Sequence, residues 1–328
     1  ISIFDPDYHN KVLCMLTRRH LRVKVMQCIY SLSLASGGSL EKQQEFLNSS
    51  IGQTYTLYRL LLALFRELYQ AAANRSEKAT SNYLKMGPGD KGNPTRLSQN
   101  KILQQIWQNP ELTEALKKRK LKQWYLNEEY IKIVLSELLE SDLYSAYAQT
   151  PESYEADREF LVQAFREIIA PNEKVYEFLE DEEITWVDDL PLINTHLLKQ
   201  LRKVKPESPH NFFLPPLLKN QEDITFATEL LNKTLLNGAE LAAEIEGQTP
   251  NWDKDRIAEI DAILLKMAIA ELLYFPSIPE RVSINEYLEI AKEYSTPKSS
   301  IFINGVLDKL TKDYQTAGRL KKTGRGLL

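Results

Sequence analysis

The segment from Asp253 to Leu273 constrains this chain most. Ile260, Ile263, Leu264, Met267 and Leu272 make it a helix too apolar to lie on a surface. Such a helix must be wrapped by others, so the sequence predicts an all-α bundle with this segment at the centre of its core. Pro276 and Pro279 end it and open the next helix, in which Ser283 and Glu286 have capping-box spacing and Val282 and Tyr287 match a hydrophobic staple. A last helix follows, with Thr296 as N-cap and Pro297 in its first position. Ile303, Val306, Leu307 and Leu310 recur there at helical spacing and form its buried stripe. Gly305 within that helix predicts close packing, and Asn285 and Asn304 are expected to serve as buried hydrogen-bonding groups or caps.

The first helix is expected over Thr17 to Leu34, striped by Leu21, Val25, Cys28 and Leu32. Arg18, Arg19, His20, Arg22 and Lys24 crowd its first turns, where each cation opposes the helix dipole at a cost of a few tenths of a kcal/mol. They form either an anion site or a solvated basic face. Ser36-Gly37-Gly38 breaks the helix; a short one is expected over Leu40 to Leu47 and a long one from about Thr54 to Lys85. The turn-rich stretch Gly87 to Pro94 reads as a loop. Helical patterns resume over Leu97 to Gln108, Leu112 to Tyr125 and Glu128 to Tyr147. Lys117-Lys118-Arg119-Lys120-Leu121-Lys122 is the densest basic run, either part of a nucleic-acid surface or a solvated face.

Beyond residue 150 the chain resembles itself. An offset of 66 residues aligns Asp157 with Asp223, Phe160 with Phe226, Glu180 with Glu246, Trp186 with Trp252, Asp189 with Asp255 and Leu198 with Leu264. The stretch 157–204 therefore reads either as a copy of 223–270 or as a chance alignment of two helical segments.

Composition narrows the function. At 43% hydrophobic and 26% charged residues the chain reads as soluble and globular, and a net charge of −4 confines any nucleic-acid site to a local patch. Two cysteines, Cys14 and Cys28, are too few for a disulfide framework and fit a reducing cytoplasm. The four histidines lack metal-ligand spacing, and there is no phosphate-binding glycine loop, dinucleotide fingerprint or nucleophile elbow. No enzyme activity and no cofactor are expected. Residues 1–16 are read as an N-terminal extension, with Met15 directly before the first helix taken as the natural start.

Ser283-Ile284-Asn285-Glu286-Tyr287-Leu288-Glu289-Ile290-Ala291-Lys292, followed by Phe302-Ile303-Asn304-Gly305-Val306-Leu307-Asp308-Lys309-Leu310, resembles the C-terminal signature of the NusB transcription antitermination family. The resemblance implies a NusB-like helical bundle with additional inserted helices. Residues 17–50 are then N-terminal NusB-like helices, 51–220 an inserted region, 221–314 the C-terminal NusB-like subdomain, and 315–328 a basic, disordered tail. It also implies a cytoplasmic transcription factor that binds boxA-like single-stranded RNA together with NusE, a small-subunit ribosomal protein, on the transcription elongation complex. The alternative is a helical protein-interaction scaffold with weak or lost RNA binding.

The site expectations combine both lines. RNA phosphates are expected to meet Arg18, Arg19 and Arg22, with His20 standing where the family usually has arginine. The start of the last helix, with Lys298 and Ser299, supplies N–H groups, a dipole and a cation suited to a phosphate. Phe302, one turn on, is placed to stack on a base. Tyr30 and Asp261 fall where the family faces NusE. Lys298 stands where the family often has an acidic residue, which implies tighter phosphate binding and less reliance on NusE.

Overall fold

The structure, a computed structural model, describes residues 14–34, 39–81, 92–248 and 258–323. Those residues form helices and no strand. The chain divides into two compact units, one made of the residues up to Ile51 and from Pro216 onward, the other of Gly52–Pro215.

The chain begins with α1 (Arg18–Leu34) in the first unit; α2 (Leu40–Ser81) starts there and continues as part of the second. The second unit then adds α3 (Thr95–Ser98), α4 (Lys101–Trp107), α5 (Pro110–Arg119), α6 (Gln123–Leu126), α7 (Glu128–Glu140), α8 (Asp142–Gln149), α9 (Tyr154–Ala164), α10 (Glu173–Glu182) and α11 (Trp186–Lys203). A π-helical turn, Phe165–Ile169, prolongs α9. Side-chain caps set many of these boundaries. Asn100 accepts from the N–H groups of Ile102 and Leu103, Asn109 from Leu112, Asn172 from Val175 and Ser141 from Tyr144. Asn100 and Ser141 break the predicted helices 97–108 and 128–147 into pairs, and 112–125 is broken at Lys120, which ends α5 in the left-handed conformation. Inside the unit, Tyr147 stacks on Phe160 at 4.0 Å and Trp124 tilts against Phe178 at 4.9 Å.

The first unit resumes with α12 (Gln221–Leu236), α13 (Gly238–Gln248), α14 (Glu259–Tyr274), α15 (Glu280–Tyr294) and α16 (Ser299–Thr316). Its centre is α14, buried from Ile263 through Leu272 at all positions but Lys266. Helices α14 and α15 form an antiparallel hairpin: Glu271 meets Ser283 at one end and Asp261 meets Ser295 at the other. α16 packs on both, while α1 packs on α12, α14 and α15.

Several expectations change. The predicted helices 40–47 and 54–85 are one continuous helix, because neither Asn48 nor Gly52 breaks the intervening turns. Ser283 is not an N-cap: α15 begins at Glu280, and the buried Ser283 hydroxyl bonds to Glu271 instead. Val282, at 46% exposed, cannot be half of a staple. Gly305 is exposed, with no atom within 4 Å of where a side chain would start, so it reflects no close packing. Asn285 is exposed, and Asn304 donates to Asp308 on the surface rather than inside. The basic tail is tied down over its described part. Arg319 pairs with Glu244 at 2.7 Å, and Lys322 donates to the carbonyls of Glu271 and Phe275. Residues 324–328, the breaker 36–38, most of the loop 87–94, the extension 1–13, and Trp252, Asp253 and Asp255 lie outside the described residues.

Candidate nucleic-acid interface

The basic start of α1 opens into a surface groove of about 590 Å³. Arg18, Arg19 and His20 line it from α1, and Pro279, Val282 and Glu286 from α15 and its start. The three predicted arginines meet three different fates. Arg18 is partly exposed; its Nε donates to Asp223 at 3.2 Å while its guanidinium lies over the Phe226 ring. Arg19, also partly exposed, donates through Nε and Nη2 to the two oxygens of Glu286 at 2.8 and 2.9 Å. These hydrogen bonds raise the Arg19 pKa above its ordinary value and hold the Glu286 carboxyl below the usual carboxylate range. His20 is shifted down, first by burial and then by the charge of Arg19, so it adds no cation at neutral pH.

Arg22 departs from expectation. Its side chain is 3% exposed and makes a bidentate pair, at 2.8 and 2.6 Å, with a Glu271 that is wholly buried. Glu271 accepts two further hydrogen bonds, from Ser283 at 2.6 Å and Tyr287 at 3.0 Å. Burial alone would depress the Arg22 pKa, yet Glu271 carries it above its ordinary value. Tyr287 is pushed far up by burial and by the same carboxylate. Arg22 thus ties α1 to the α14–α15 hairpin, and it lines the groove only as a nearly buried guanidinium already committed to carboxylates. The signal for this pairing was in the sequence: Glu271 is a lone carboxylate in an otherwise apolar run, and such a group needs a buried cation.

The start of α16 also differs. Lys298, exposed and in no ion pair among the described residues, occupies the N-cap position, with Thr296 and Pro297 in the turn before it. Ser299 is 2% exposed. Its hydroxyl donates to Asp261 at 2.7 Å and accepts from the Thr296 N–H at 3.2 Å, while its own N–H bonds to the Thr296 carbonyl. Asp261 accepts from Ser295 through its other oxygen at 2.6 Å. The carboxylate expected to face a partner is therefore 5% exposed and pins the α15–α16 turn. Ser299 and Asp261, assigned to different surfaces, meet in one buried cluster. Phe302 is half-buried one turn into α16, beside Ile301 at 75% exposed. Tyr30 is 37% exposed near the end of α1, one turn before the exposed Leu34.

The surface that remains open consists of Arg18, Arg19 and Lys298, an aromatic at Phe302, and an apolar pair at Tyr30 and Leu34. Among the described residues no cluster of histidine, cysteine and carboxylate could hold a metal, and no helix is long and apolar enough to cross a membrane. Fold and face together define an all-helical protein with a cationic surface groove. The chain belongs to the NusB family, whose model matches residues 194–312. It is 45% identical over 119 residues to the transcription antitermination protein NusB of Salinibacter ruber, covering 36% of this chain and 74% of that protein. The NusB proteins of Chloroherpeton thalassium and Geotalea daltonii are 44% and 42% identical over 103 and 96 residues, with 49% and 66% of their lengths covered by 31% and 29% of this chain. No solved structure matches the chain.

Proposed function

We propose that this protein is a transcription antitermination factor that binds boxA-like single-stranded RNA together with NusE, without catalysing a reaction. The observation that carries this reading is the groove at α1. Its α1 wall lies outside the residues matched by the family model, yet Arg19 on that wall is bonded to Glu286 within them. In this reading phosphates meet Arg18, Arg19 and Lys298, Phe302 stacks on a base, and Tyr30 with Leu34 seats NusE. Arg22, Ser299 and Asp261 act indirectly, by fixing α1 and the α16 start in place. The 2.6 and 2.7 Å bonds to Asp261 support that positioning role, because they hold the turn that carries Lys298.

The reading is tested by titrating labelled boxA RNA and a scrambled control with and without NusE. Preferential binding of boxA, with a log–log salt slope of about −2 to −3 for three or four phosphates, is expected. A stacked base contributes roughly 1–3 kcal/mol, so Phe302→Ala should weaken binding about tenfold with the circular dichroism spectrum intact. Loss of the fold in that variant would return Phe302 to the core. One observation favours the scaffold alternative: Arg18, Arg19 and Arg22 all face carboxylates. A flat salt dependence would select it.

A further inference from the structure

The second unit, of which the family model covers only the end, carries a cationic corner of its own where α5 meets α6. Lys117, Lys118, Arg119, Lys120 and Lys122 are all exposed. Of these, only Lys118 forms an ion pair among the described residues, with Glu114 at 3.6 Å. The three cations in the last turn of α5 have an ordinary explanation, since they complement the helix dipole. Lys120, the C-cap, still lies at the negative end of that dipole, whereas Lys122 lies past it. Lys120 adopts φ 52°, ψ 37°, the left-handed conformation in which a helix normally ends on glycine. It is the one non-glycine residue of positive φ among the described residues. A lysine kept in a conformation that disfavours it points to a use for its side chain.

An aromatic platform stands beside these cations. Trp124 is buried, donates its indole N–H to the Leu60 carbonyl at 2.7 Å and packs on Phe178. With α6 anchored from beneath, its neighbours Tyr125 and Leu126 stand 69% and 71% exposed. Cations in close succession beside a solvent-facing aromatic ring are what a single strand requires: phosphates for the charges and a base for the ring. We propose that this corner is a second binding site for single-stranded nucleic acid, separate from the groove at α1.

The test uses the full chain with Arg18→Ala, Arg19→Ala and Lys298→Ala in place, so that the α1 groove contributes little, and a labelled twelve-nucleotide single-stranded RNA read by fluorescence anisotropy. Residual binding is expected, with a log–log salt slope of about −3 from four neutralised phosphates. Adding Tyr125→Ala should weaken it about tenfold. Adding Lys117→Gln, Arg119→Gln, Lys120→Gln and Lys122→Gln should abolish it with the helical spectrum unchanged. Lys120→Gly separates strain from function: melting temperature is expected to rise while RNA affinity falls. The proposal is overturned if the background variant binds no RNA, or if the fourfold glutamine variant binds as before. It is equally overturned if the corner takes anionic phosphatidylserine vesicles but not RNA, which would make it a membrane contact. Because the α1 groove is tested in the otherwise unchanged chain, failure of one site leaves the other independently readable.

Discussion

Replacing Arg22 by alanine tests whether the basic start of α1 is chiefly structural or chiefly a ligand surface. The Glu271 carboxylate is fully buried and faces a guanidinium that is nearly so. In Arg22→Ala the carboxylate keeps only the Ser283 and Tyr287 hydroxyls, two neutral donors that cannot balance its charge. Breaking a buried pair from one side costs about 3–5 kcal/mol, against a total stability of about 5–15 kcal/mol for a domain. For a body of this size each kcal/mol shifts the melting temperature by roughly 2–4 °C, so a drop of about 6–20 °C is expected by circular dichroism. Arg19→Ala is the internal control: its side chain is 43% exposed and its partner Glu286 22%, so loss of that pair should cost less than about 1 kcal/mol. Replacing both partners, Arg22→Met with Glu271→Leu, should restore most of the lost stability, since no buried charge is then stranded. An Arg22→Ala protein that melts within a few degrees of wild type but has lost RNA affinity would refute this reasoning and make Arg22 a ligand contact.

Two further outcomes follow from the same groups. If Arg19 binds RNA phosphate as proposed, Glu286 competes for it, so Glu286→Gln should raise boxA affinity about three- to tenfold in filter binding and change stability by less than about 1 kcal/mol; weaker binding would mean that Glu286 positions Arg19 rather than occupying it. His196, buried against the edge of Tyr58, is shifted down to about 4, chiefly by burial. The unfolded chain takes up a proton below its ordinary value of 6.5 while the folded one does not, so stability is complete above that pH and lost as pH falls toward 4. By pH 5 the loss amounts to about 2 kcal/mol, read from the urea midpoint of Trp107, Trp124 and Trp186 fluorescence. His196→Phe should flatten that portion of the pH profile, and equal profiles in both proteins would remove His196 as its cause.

The all-α class and the central helix α14 were legible because their signals are local: periodicity, proline placement and an apolar run. Partners for the polar groups were not. Arg22 and Asp261 read as surface charges because a one-dimensional pattern carries no information on which carboxylate faces which cation across 249 residues, or which carboxylate accepts from hydroxyls 34 and 38 residues away. The capping-box spacing at Ser283 was real but misleading, since a serine that can cap a helix can equally serve a buried glutamate. Helix breaks inside the second unit were missed for a related reason. Asn100 and Ser141 are caps only when the chain turns there, and an asparagine or serine within an apolar pattern looks the same in either case.

The 66-residue offset acquires physical content in each unit taken by itself. It carries α9 with its π-helical turn onto α12, and α10 onto α13, within a residue at the ends. Asp157 and Asp223 are both buried and both paired to an arginine, Arg96 at 2.7 Å and Arg18 at 3.2 Å. Each of those arginines also covers an aromatic ring, Tyr147 in one unit and Phe226 in the other. Tyr147 in turn stacks on Phe160, the counterpart of Phe226. Under the offset the aspartates and Phe160 with Phe226 correspond, whereas Arg96 and Arg18 reach their aspartates from unrelated chain positions. The shared features are consistent with the reading of 157–204 as a copy of 223–270, and the Lys117–Lys122 corner lies outside that aligned stretch. Charge-reversing that corner should then leave the Arg96–Asp157 pair and the unit's melting temperature untouched, whereas Arg96→Ala should lower the melting temperature without altering RNA affinity.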